Sequence, residues 1–291
     1  MKYPRLLRRI ALAAATIAAT AAIAESHYMK YVQWGDEAVA NGKYSDAIEC
    51  YREAMKAEPS NPQNVMLLSN VGMIQHYQRE DSLALRTLTD ARAIAPGSVV
   101  ILHNRAKILE SLGRPHDAIL DLDKALEMDS TYAPAYYERA AINMALGNWK
   151  QVEADGRRYA ELKPTDPQGK LLMAVIFTNS CRPADAIPLY GELIEKKPEA
   201  VYYAARSMCY LATDQLAEAS DDIARGLELD PDDGELYYNR AVLNRMRYRE
   251  EDARADAMRA RELGVSDQRI CLLYTSPSPR DMRRSRMPSS A

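Results

Sequence analysis

The chain has 291 residues, with 38 Lys and Arg against 41 Asp and Glu, and a formal net charge of -3. Both ends are basic, with +4 on residues 1–24 and +3 on residues 271–291, so the body between them carries -10. Nucleic-acid binding requires clustered Lys and Arg to neutralise phosphates, and an acidic body without such a cluster predicts no nucleic-acid partner.

The first 24 residues have the layout of a secretory signal peptide. Residues 1–9 carry four cations and no acid, residues 10–24 are apolar or small, and Ala22-Ile23-Ala24 forms a small-x-small cleavage site. The apolar run is shorter than the roughly 20 residues that span a bilayer, and no Cys for lipidation follows it. We expect an exported protein, periplasmic in a Gram-negative bacterium; an uncleaved membrane anchor is the alternative.

Two blocks recur along the body. Asp-Ala-Ile appears at 46–48, 117–119 and 185–187, and an offset block appears as YYERAAINMALG (136–147), YYAARSMCYLA (202–212) and YYNRAVLNRM (237–246). The period is about 34 residues, which is the spacing of helix–turn–helix repeats.

This pattern resembles the tetratricopeptide (TPR) family, and the resemblance covers about seven repeats. It implies an all-α solenoid of stacked hairpins, a right-handed superhelix with a concave groove. Residues 25–267 form this solenoid in our interpretation. The repeats are predicted at 28–61, 65–98, 99–132, 133–166, 167–200, 200–233 and 234–267.

Small residues recur where the two helices of a repeat must touch. On the first helix they include Gly35, Gly72 and Ala106, and on the second they include Ala47 and Ala84. Small side chains let helix axes approach closely. The glycines at 42, 113 and 147 are predicted to end first helices, because Gly adopts the left-handed cap conformation cheaply.

Four repeats carry Arg at their seventh position and Asp sixteen residues later, and the other three carry neither. These pairs are Arg105 and Asp121, Arg139 and Asp155, Arg206 and Asp222, and Arg240 and Asp256. Both positions stand at one level of a helical hairpin, which predicts a partly buried, bidentate ion pair within each repeat. A ladder of arginines that binds an acidic ligand is the functional alternative.

The family resemblance implies that the exposed side of each first helix lines a partner-binding groove. The residues mapped to that side are Met66, Met73, His76, Tyr77, His103, Lys107, Tyr137, Met144, Leu171, Met208, Leu211, Tyr238, Arg245 and Met246. Met and Tyr suit adaptable recognition of peptides, although such a stripe on a helix is also typical of core packing. The Lys and Asn constellation that clamps a C-terminal carboxylate in some TPR domains is missing from the matching positions.

No pattern indicates chemistry. The four His residues lack metal-ligand spacing, and neither a phosphate loop nor a nucleophile elbow is present. We therefore expect no enzymatic activity, no cofactor and no metal.

The last segment, residues 271–291, breaks the repeat pattern. CLLYTSPSPRD resembles the in-frame translation of a sequencing-library adapter, and SRMPSSA resembles its outer segment. We expect this tail to be non-native and the native sequence to continue beyond about residue 270. The helical pattern is predicted to stop at Cys271.

These patterns predict an exported scaffold that binds a protein or peptide in its groove. One alternative is the docking arm of a larger protein whose enzymatic, cell-wall or membrane module lies beyond residue 270. The other is a glycan-binding outer-membrane protein built on TPR-like helices, although that class typically has a lipidation Cys and long inserted loops.

Overall fold

The computed structural model describes residues 27–275, in which every regular element is an α-helix. The predicted leader and the segment beyond residue 275 lie outside the described residues. The chain divides after Leu146 into two compact units. The first contains helices α1 to α7 and the second contains α8 to α15.

The helices of the first unit are α1 (27–40), α2 (Tyr44–Ala57), α3 (Asn64–Tyr77), α4 (Asp81–Ile94), α5 (Val99–Ser111), α6 (Pro115–Met128) and α7 (Ala133–Ala145). Those of the second unit are α8 (Trp149–Leu162), α9 (Pro167–Asn179), α10 (Pro183–Lys196), α11 (Ala200–Ala212), α12 (Leu216–Leu229), α13 (Gly234–Met246), α14 (Glu250–Glu262) and α15 (Asp267–Thr275). This succession confirms the predicted all-α, TPR-type helical solenoid.

Consecutive helices pack as hairpins. In the first unit α1 pairs with α2, α3 with α4 and α5 with α6; in the second α9 pairs with α10, α11 with α12 and α13 with α14. Neighbouring first helices also contact each other, as α3 contacts α5, α5 contacts α7 and α11 contacts α13. Each hairpin therefore buries its apolar sides against both its own partner and the next repeat.

The predicted small residues lie at the helix–helix contacts. All of them are buried, including Gly35 and Gly72 on first helices and Ala47 and Ala84 on second helices. A Cβ atom built on Gly72 would lie 2.7 Å from the Leu88 Cγ atom, closer than carbon atoms pack. The prediction that close approach of the axes demands small side chains is confirmed.

The turn inside each repeat contains one residue in the left-handed conformation. Gly42, Gly113 and Gly147 adopt it with φ between 69° and 75°, as predicted. The other four turns place non-glycine residues there, at Arg79, Cys181, Asp214 and Tyr248. Side chains cost about 1–2 kcal/mol in this conformation, so repeat packing must supply the difference.

The cysteines of the repeats differ in exposure. Cys209 is buried, whereas Cys181 is exposed because it occupies a left-handed turn outside the packed helices. Cys209 packs in one buried cluster with Ala174 and Ala186, so its burial follows from its place at a helix contact.

The end of the described chain remains helical beyond Ile270. Helix α15 continues to Thr275, and Leu273 packs against Ala241 and Ala257. The prediction that the helical pattern stops at Cys271 is therefore wrong, because this apolar side chain gives the segment a buried contact. The adapter origin of residues 271–291 stays a prediction. Between residues 27 and 275, no helix has both the length and the apolar character that crossing a bilayer requires.

Candidate functional site

An open pocket lies between α1 and α3 in the first unit, on the exposed side of these first helices. It encloses about 380 Å³. Its lining is Asp36, Val39, Ala40, Tyr51, Asn70, Met73, Ile74 and Tyr77. Two of the predicted groove residues, Met73 and Tyr77, thus contribute to one concavity. The pocket has apolar walls and a single carboxylate.

That carboxylate belongs to Asp36 and is oriented from within the repeat. The Tyr51 hydroxyl donates a 2.6 Å hydrogen bond to Asp36 Oδ1. Burial of the ring, followed by this bond and the charge of Asp36, raises the pKa of Tyr51 well above its usual value. The hydroxyl therefore keeps its proton at neutral pH and holds Asp36 as a permanent acceptor.

The Asp36 side chain is exposed to solvent. Across residues 27–275, no Lys, Arg or His lies within ion-pair distance of this carboxylate. Glu138 and Glu235 of other first helices, by contrast, lie within ion-pair distance of His103 and Arg269. An oriented carboxylate beside apolar walls favours a ligand with a cation next to an apolar group.

Tyr77 forms the rim of the pocket. Its side chain is 59% exposed, and its ring stacks on Tyr44 with the ring centres 6.1 Å apart and an angle of 24° between the planes. Stacking fixes one face of the Tyr77 ring at low entropic cost and leaves the other face open. The open face of the Tyr77 ring is therefore held in a fixed orientation at the edge of the pocket.

His76 is committed to its own repeat. Its Nδ1 atom lies 2.6 Å from Asp81 Oδ1. The hydrogen bond from His76 lowers the pKa of Asp81, and this outweighs the opposing effect of burial. His76 is one of the predicted partner-binding residues, but its Nδ1 atom is used within the repeat, where it stabilises the turn between α3 and α4.

His103 occupies a contact between the third and fourth repeats. Its Nδ1 atom is 3.3 Å from the Tyr132 hydroxyl, and its Nε2 atom is 3.7 Å from Glu138 Oε2. Burial raises the pKa of Glu138, but His103 and Lys107 outweigh it and the net shift is downward. Partial desolvation and the charge of Glu138 raise the pKa of Glu110. The predicted residues His103 and Lys107 are thus part of a charged cluster that joins α5 to α7.

The remaining predicted groove residues differ in exposure. Met66 is exposed, whereas Tyr137 and Met144 in the first unit are half-buried. In the second unit the half-buried residues are Leu171, Met208, Tyr238 and Arg245. Arg269 covers the Tyr238 ring at 4.5 Å, and Arg245 lies 5.9 Å from the Tyr274 ring centre.

Two predicted groove residues are core residues. Leu211 is 1% exposed and Met246 is 4% exposed, and both pack in one cluster with Ile223 and Leu243. They lie near the ends of α11 and α13, where the following helix covers the side of the first helix. The prediction that they contact a partner is corrected, since no ligand could reach them without unfolding the hairpin.

Three of the predicted arginine–aspartate pairs are present as bidentate contacts. Arg105 donates to Asp121 at 2.6 and 2.5 Å, and Arg206 donates to Asp222 through two bonds of 2.8 Å. Arg240 donates to Asp256 through Nε and Nη2. The three aspartates are buried, and the hydrogen bonds to Asp222 and Asp256 raise the pKa of Arg206 and of Arg240. This geometry favours a structural role for these arginines over a ligand-binding ladder.

In the fourth predicted pair, Arg139 and Asp155 each have a hydrogen bond to another residue. Arg139 donates to Asp123 of the preceding repeat at 2.5 Å. Asp155 lies in the second unit, where it accepts from Gln151 at 2.9 Å. Pairing of Arg139 with Asp155 stays a prediction.

Acidic and sulfur or imidazole side chains do not gather into a metal site. Between residues 27 and 275, no group of three or more His, Cys, Asp or Glu has a geometry that could hold a metal ion.

Family models for the tetratricopeptide repeat match residues 32–99, 99–132 and 200–233. Two of these matches have the bounds predicted for the third and sixth repeats. The chain is a tetratricopeptide-repeat protein.

Known proteins resemble this TPR chain over much of its length. DnaJ homolog subfamily C member 3 of Gallus gallus is 22% identical over 270 residues, which are 82% of this chain and 53% of the relative. The crystal structure of a tetratricopeptide repeat protein from Parabacteroides merdae superposes with a TM-score of 0.60 and 26% identity over 85% of this chain and 97% of that one. YrrB, a TPR protein with an unusual peptide-binding site, shares the fold with a TM-score of 0.53 and 20% identity over 63% and 95% of the two chains. The chain matches about half or less of the length of the curated relatives.

Sequence reasoning missed several polar residues of these TPR repeats. Asp36 and Asn70 line the pocket, and Glu138 belongs to the charged cluster. One signal was available for Asp36, since it is the residue one position after Gly35 on the predicted first-helix face. The contact that orients it comes from Tyr51 on the second helix, at the aromatic position of the repeat pattern, but the pattern does not show that its hydroxyl bonds to Asp36.

Proposed function

We propose that this protein is a binding scaffold that takes a basic, apolar segment of a partner protein along the exposed side of its first helices. It acts without catalysis. The pocket between α1 and α3 carries the proposal, because it combines apolar walls with an oriented and unpaired carboxylate. TPR hairpins present such first-helix surfaces repeatedly, which suits an extended ligand.

The apolar part of the pocket is suited to one large side chain. A volume of about 380 Å³ lies in the range of small-ligand sites. Met73 lets the wall adapt, and the stacked ring of Tyr77 gives it a fixed edge. A Leu, Phe or Tyr of the partner would remove these surfaces from water.

The charge of the site selects a cation beside that side chain. Asp36 has no ion-pair partner among the described residues, and the body from 25 to 270 carries -10. A Lys or Arg next to the apolar residue would restore local neutrality, whereas an acidic residue would be repelled. The partner segment is therefore of opposite charge to the scaffold.

The proposal is tested with synthetic peptides of about ten residues, roughly 33 Å when extended. One series contains a central Phe followed by Lys, a second replaces Lys with Glu, and a third replaces Phe with Ser. Fluorescence anisotropy should show saturable binding of the first series alone. Asp36→Asn should weaken it about fivefold, the effect of a partly exposed charged contact of about 1 kcal/mol.

Matched variants separate the pocket from general charge and apolarity. Asp90→Asn removes the same charge from the exposed side of α4, and Met258→Ala truncates an exposed Met on α14. Neither should change binding, whereas Met73→Ala and Tyr77→Ala should weaken it. Equal binding of the Lys and Glu peptides, or equal effects of Asp36→Asn and Asp90→Asn, would overturn the proposed class of partner.

We also propose that the protein is exported and works in the periplasm. The support is the leader-like arrangement of residues 1–24, which lie outside the described residues. Expression of the full chain in a Gram-negative host, followed by fractionation and N-terminal sequencing, tests this. A periplasmic species that begins at Glu25 is expected, and a cytoplasmic species that retains residues 1–24 would contradict it.

A further inference from the structure

We propose that a second cleft of the first unit, between α4, α5 and α6, binds a small polyanion that carries phosphate or carboxylate groups. It encloses about 360 Å³, enough for a small molecule and separate from the pocket between α1 and α3. Its lining is Leu85, Thr89, Arg92, Arg105, Leu109, Arg114, Asp117, Leu120, Asp121 and Lys124.

Cations outnumber acids in this lining by four to two. The carboxylate of Asp121 is fully used by Arg105, which donates to both of its oxygens. Arg92 approaches the same carboxylate, but its Nη1 atom remains 3.7 Å from Oδ1 and makes no hydrogen bond with the described residues. The buried Asp121 carboxylate thus faces the guanidinium groups of both Arg105 and Arg92. The N–H groups of Arg92 remain available to donate hydrogen bonds to a bound anion.

The second acid of the cleft is also occupied. Asp117 accepts from Arg114 at 2.7 Å through Nε and at 2.6 Å through Nη2. Lys124 lies 3.3 Å from Glu127, which is a highly exposed residue outside the lining. Arg92 and Lys124 are therefore the two cations of the cleft whose charge its own acids do not neutralise.

This arrangement matches an anion with several oxygens. A planar guanidinium donates two parallel hydrogen bonds to phosphate or carboxylate, and an ammonium group adds a point charge. The Arg105–Asp121 pair gives the floor a fixed charge pattern, since both side chains are largely buried. In an acidic body, a local excess of positive charge directs small anions to this cleft.

Isothermal titration calorimetry of the whole protein, in a buffer free of phosphate and sulfate, tests the inference. Inorganic phosphate, pyrophosphate and citrate serve as probes, with chloride as the reference anion. We expect saturable binding that is tighter for pyrophosphate or citrate than for phosphate and that weakens as salt screens the charges. Preference for pyrophosphate indicates a phosphorylated ligand, and preference for citrate indicates a polycarboxylate.

Two variants with opposite expected effects on anion binding make the test specific. Arg92→Gln should weaken binding about tenfold, the loss of one charge-assisted contact. Asp117→Asn should strengthen binding, because it removes a carboxylate that competes for Arg114. Arg92 forms no hydrogen bond to the described residues, so its replacement should leave folding intact, which circular dichroism checks.

The second unit provides a matched control. Arg182 precedes α10 as Arg114 precedes α6, Pro follows both, and Arg182 Nε donates to Asp185 at 2.7 Å. Asp185→Asn therefore changes the same charge in the same local setting, outside the cleft. Equal effects of Asp117→Asn and Asp185→Asn on binding would show that the anions respond only to the net charge of the protein, which contradicts a specific site. An absence of saturable binding to any probe would overturn the proposal outright.

Discussion

Replacing Asp222 with Ala tests the structural role of the arginine–aspartate pairs. Asp222 is 3% exposed and accepts two hydrogen bonds of 2.8 Å from Arg206, whose side chain is 16% exposed. Loss of one partner from a fully buried pair costs about 3–5 kcal/mol, because the remaining charge stays desolvated. The rings of Tyr203 and Tyr210, 5.8 and 5.7 Å from the guanidinium carbon, contact Arg206 in the wild type and in the variant alike, so their contribution cancels. The expected loss of stability is about 3 kcal/mol.

The assay combines urea unfolding, followed by far-UV circular dichroism, with amide hydrogen exchange. Solenoids can unfold repeat by repeat, so the exchange data should show the loss first in α11 and α12. The double variant Arg206→Met/Asp222→Leu removes both charges and should recover most of the stability, since no charge is then left without its partner.

Comparison with another pair completes the test. Arg240 is 40% exposed, so water screens its charge when Asp256 is removed. Asp256→Ala should cost only about 1 kcal/mol after this discount. If Asp222→Ala costs less than Asp256→Ala, or the double variant is no more stable than Asp222→Ala, then burial of the charge does not determine the energetics.

Three further predictions concern local features. Tyr248→Gly should stabilise the second unit by about 1 kcal/mol in thermal unfolding, because the residue has a φ of 61° that Gly adopts without strain. Asp81→Asn should make the free energy of unfolding depend less on pH in acid. The folded-state pKa of Asp81 is lowered, so the stability that Asp81 contributes is present above the unfolded pKa of about 3.9. That stability is lost as the pH falls through the folded-state pKa. Gly72→Ala should destabilise by about 1–2 kcal/mol, since the new Cβ would lie 2.7 Å from a buried leucine atom, whereas Gly191→Ala has no contact under 3.5 Å and should stabilise its helix.

The sequence predicts best those contacts that form within a single hairpin. Arg105 and Asp121 are sixteen residues apart, and two helices of known length bring them to one level whatever the neighbouring repeats do. The same holds for Gly72 against Leu88, where the axes of α3 and α4 approach. Local geometry and a period of about 34 residues suffice for both predictions.

The turns show where such local reasoning fails. Gly113 indicates its left-handed conformation, but Cys181 and Tyr248 adopt the same conformation with side chains that disfavour it. Their cost of about 1–2 kcal/mol is smaller than the packing gain of a hairpin, so the repeat imposes the turn on whatever residue is present. A propensity argument therefore finds the glycine turns and misses the others.

Exposure on the first-helix face was the least predictable property. Tyr77 and Met246 are at the same position of their repeats, yet one is 59% exposed and the other 4%. Met246 is buried because it packs in a cluster with Ile223 and Leu243, and such contacts depend on side chains many residues away. A repeat position alone cannot supply that information.

Stacking of the repeats also decides which polar groups of the first-helix face remain for a partner. At the sixth position of three later repeats, Asn104 donates to Ser69, Glu138 approaches His103, and Asn239 donates to the Ala204 carbonyl. In each of these contacts, a polar group of one repeat interacts with the neighbouring repeat and is no longer available to a partner. Asp36 is at the ninth position of the first repeat, and its polar partner among the described residues is the hydroxyl of Tyr51 from its own hairpin. Because no contact with a neighbouring repeat uses this carboxylate, we propose the pocket beside it, rather than the charged cluster around His103, as the site for a partner's cation.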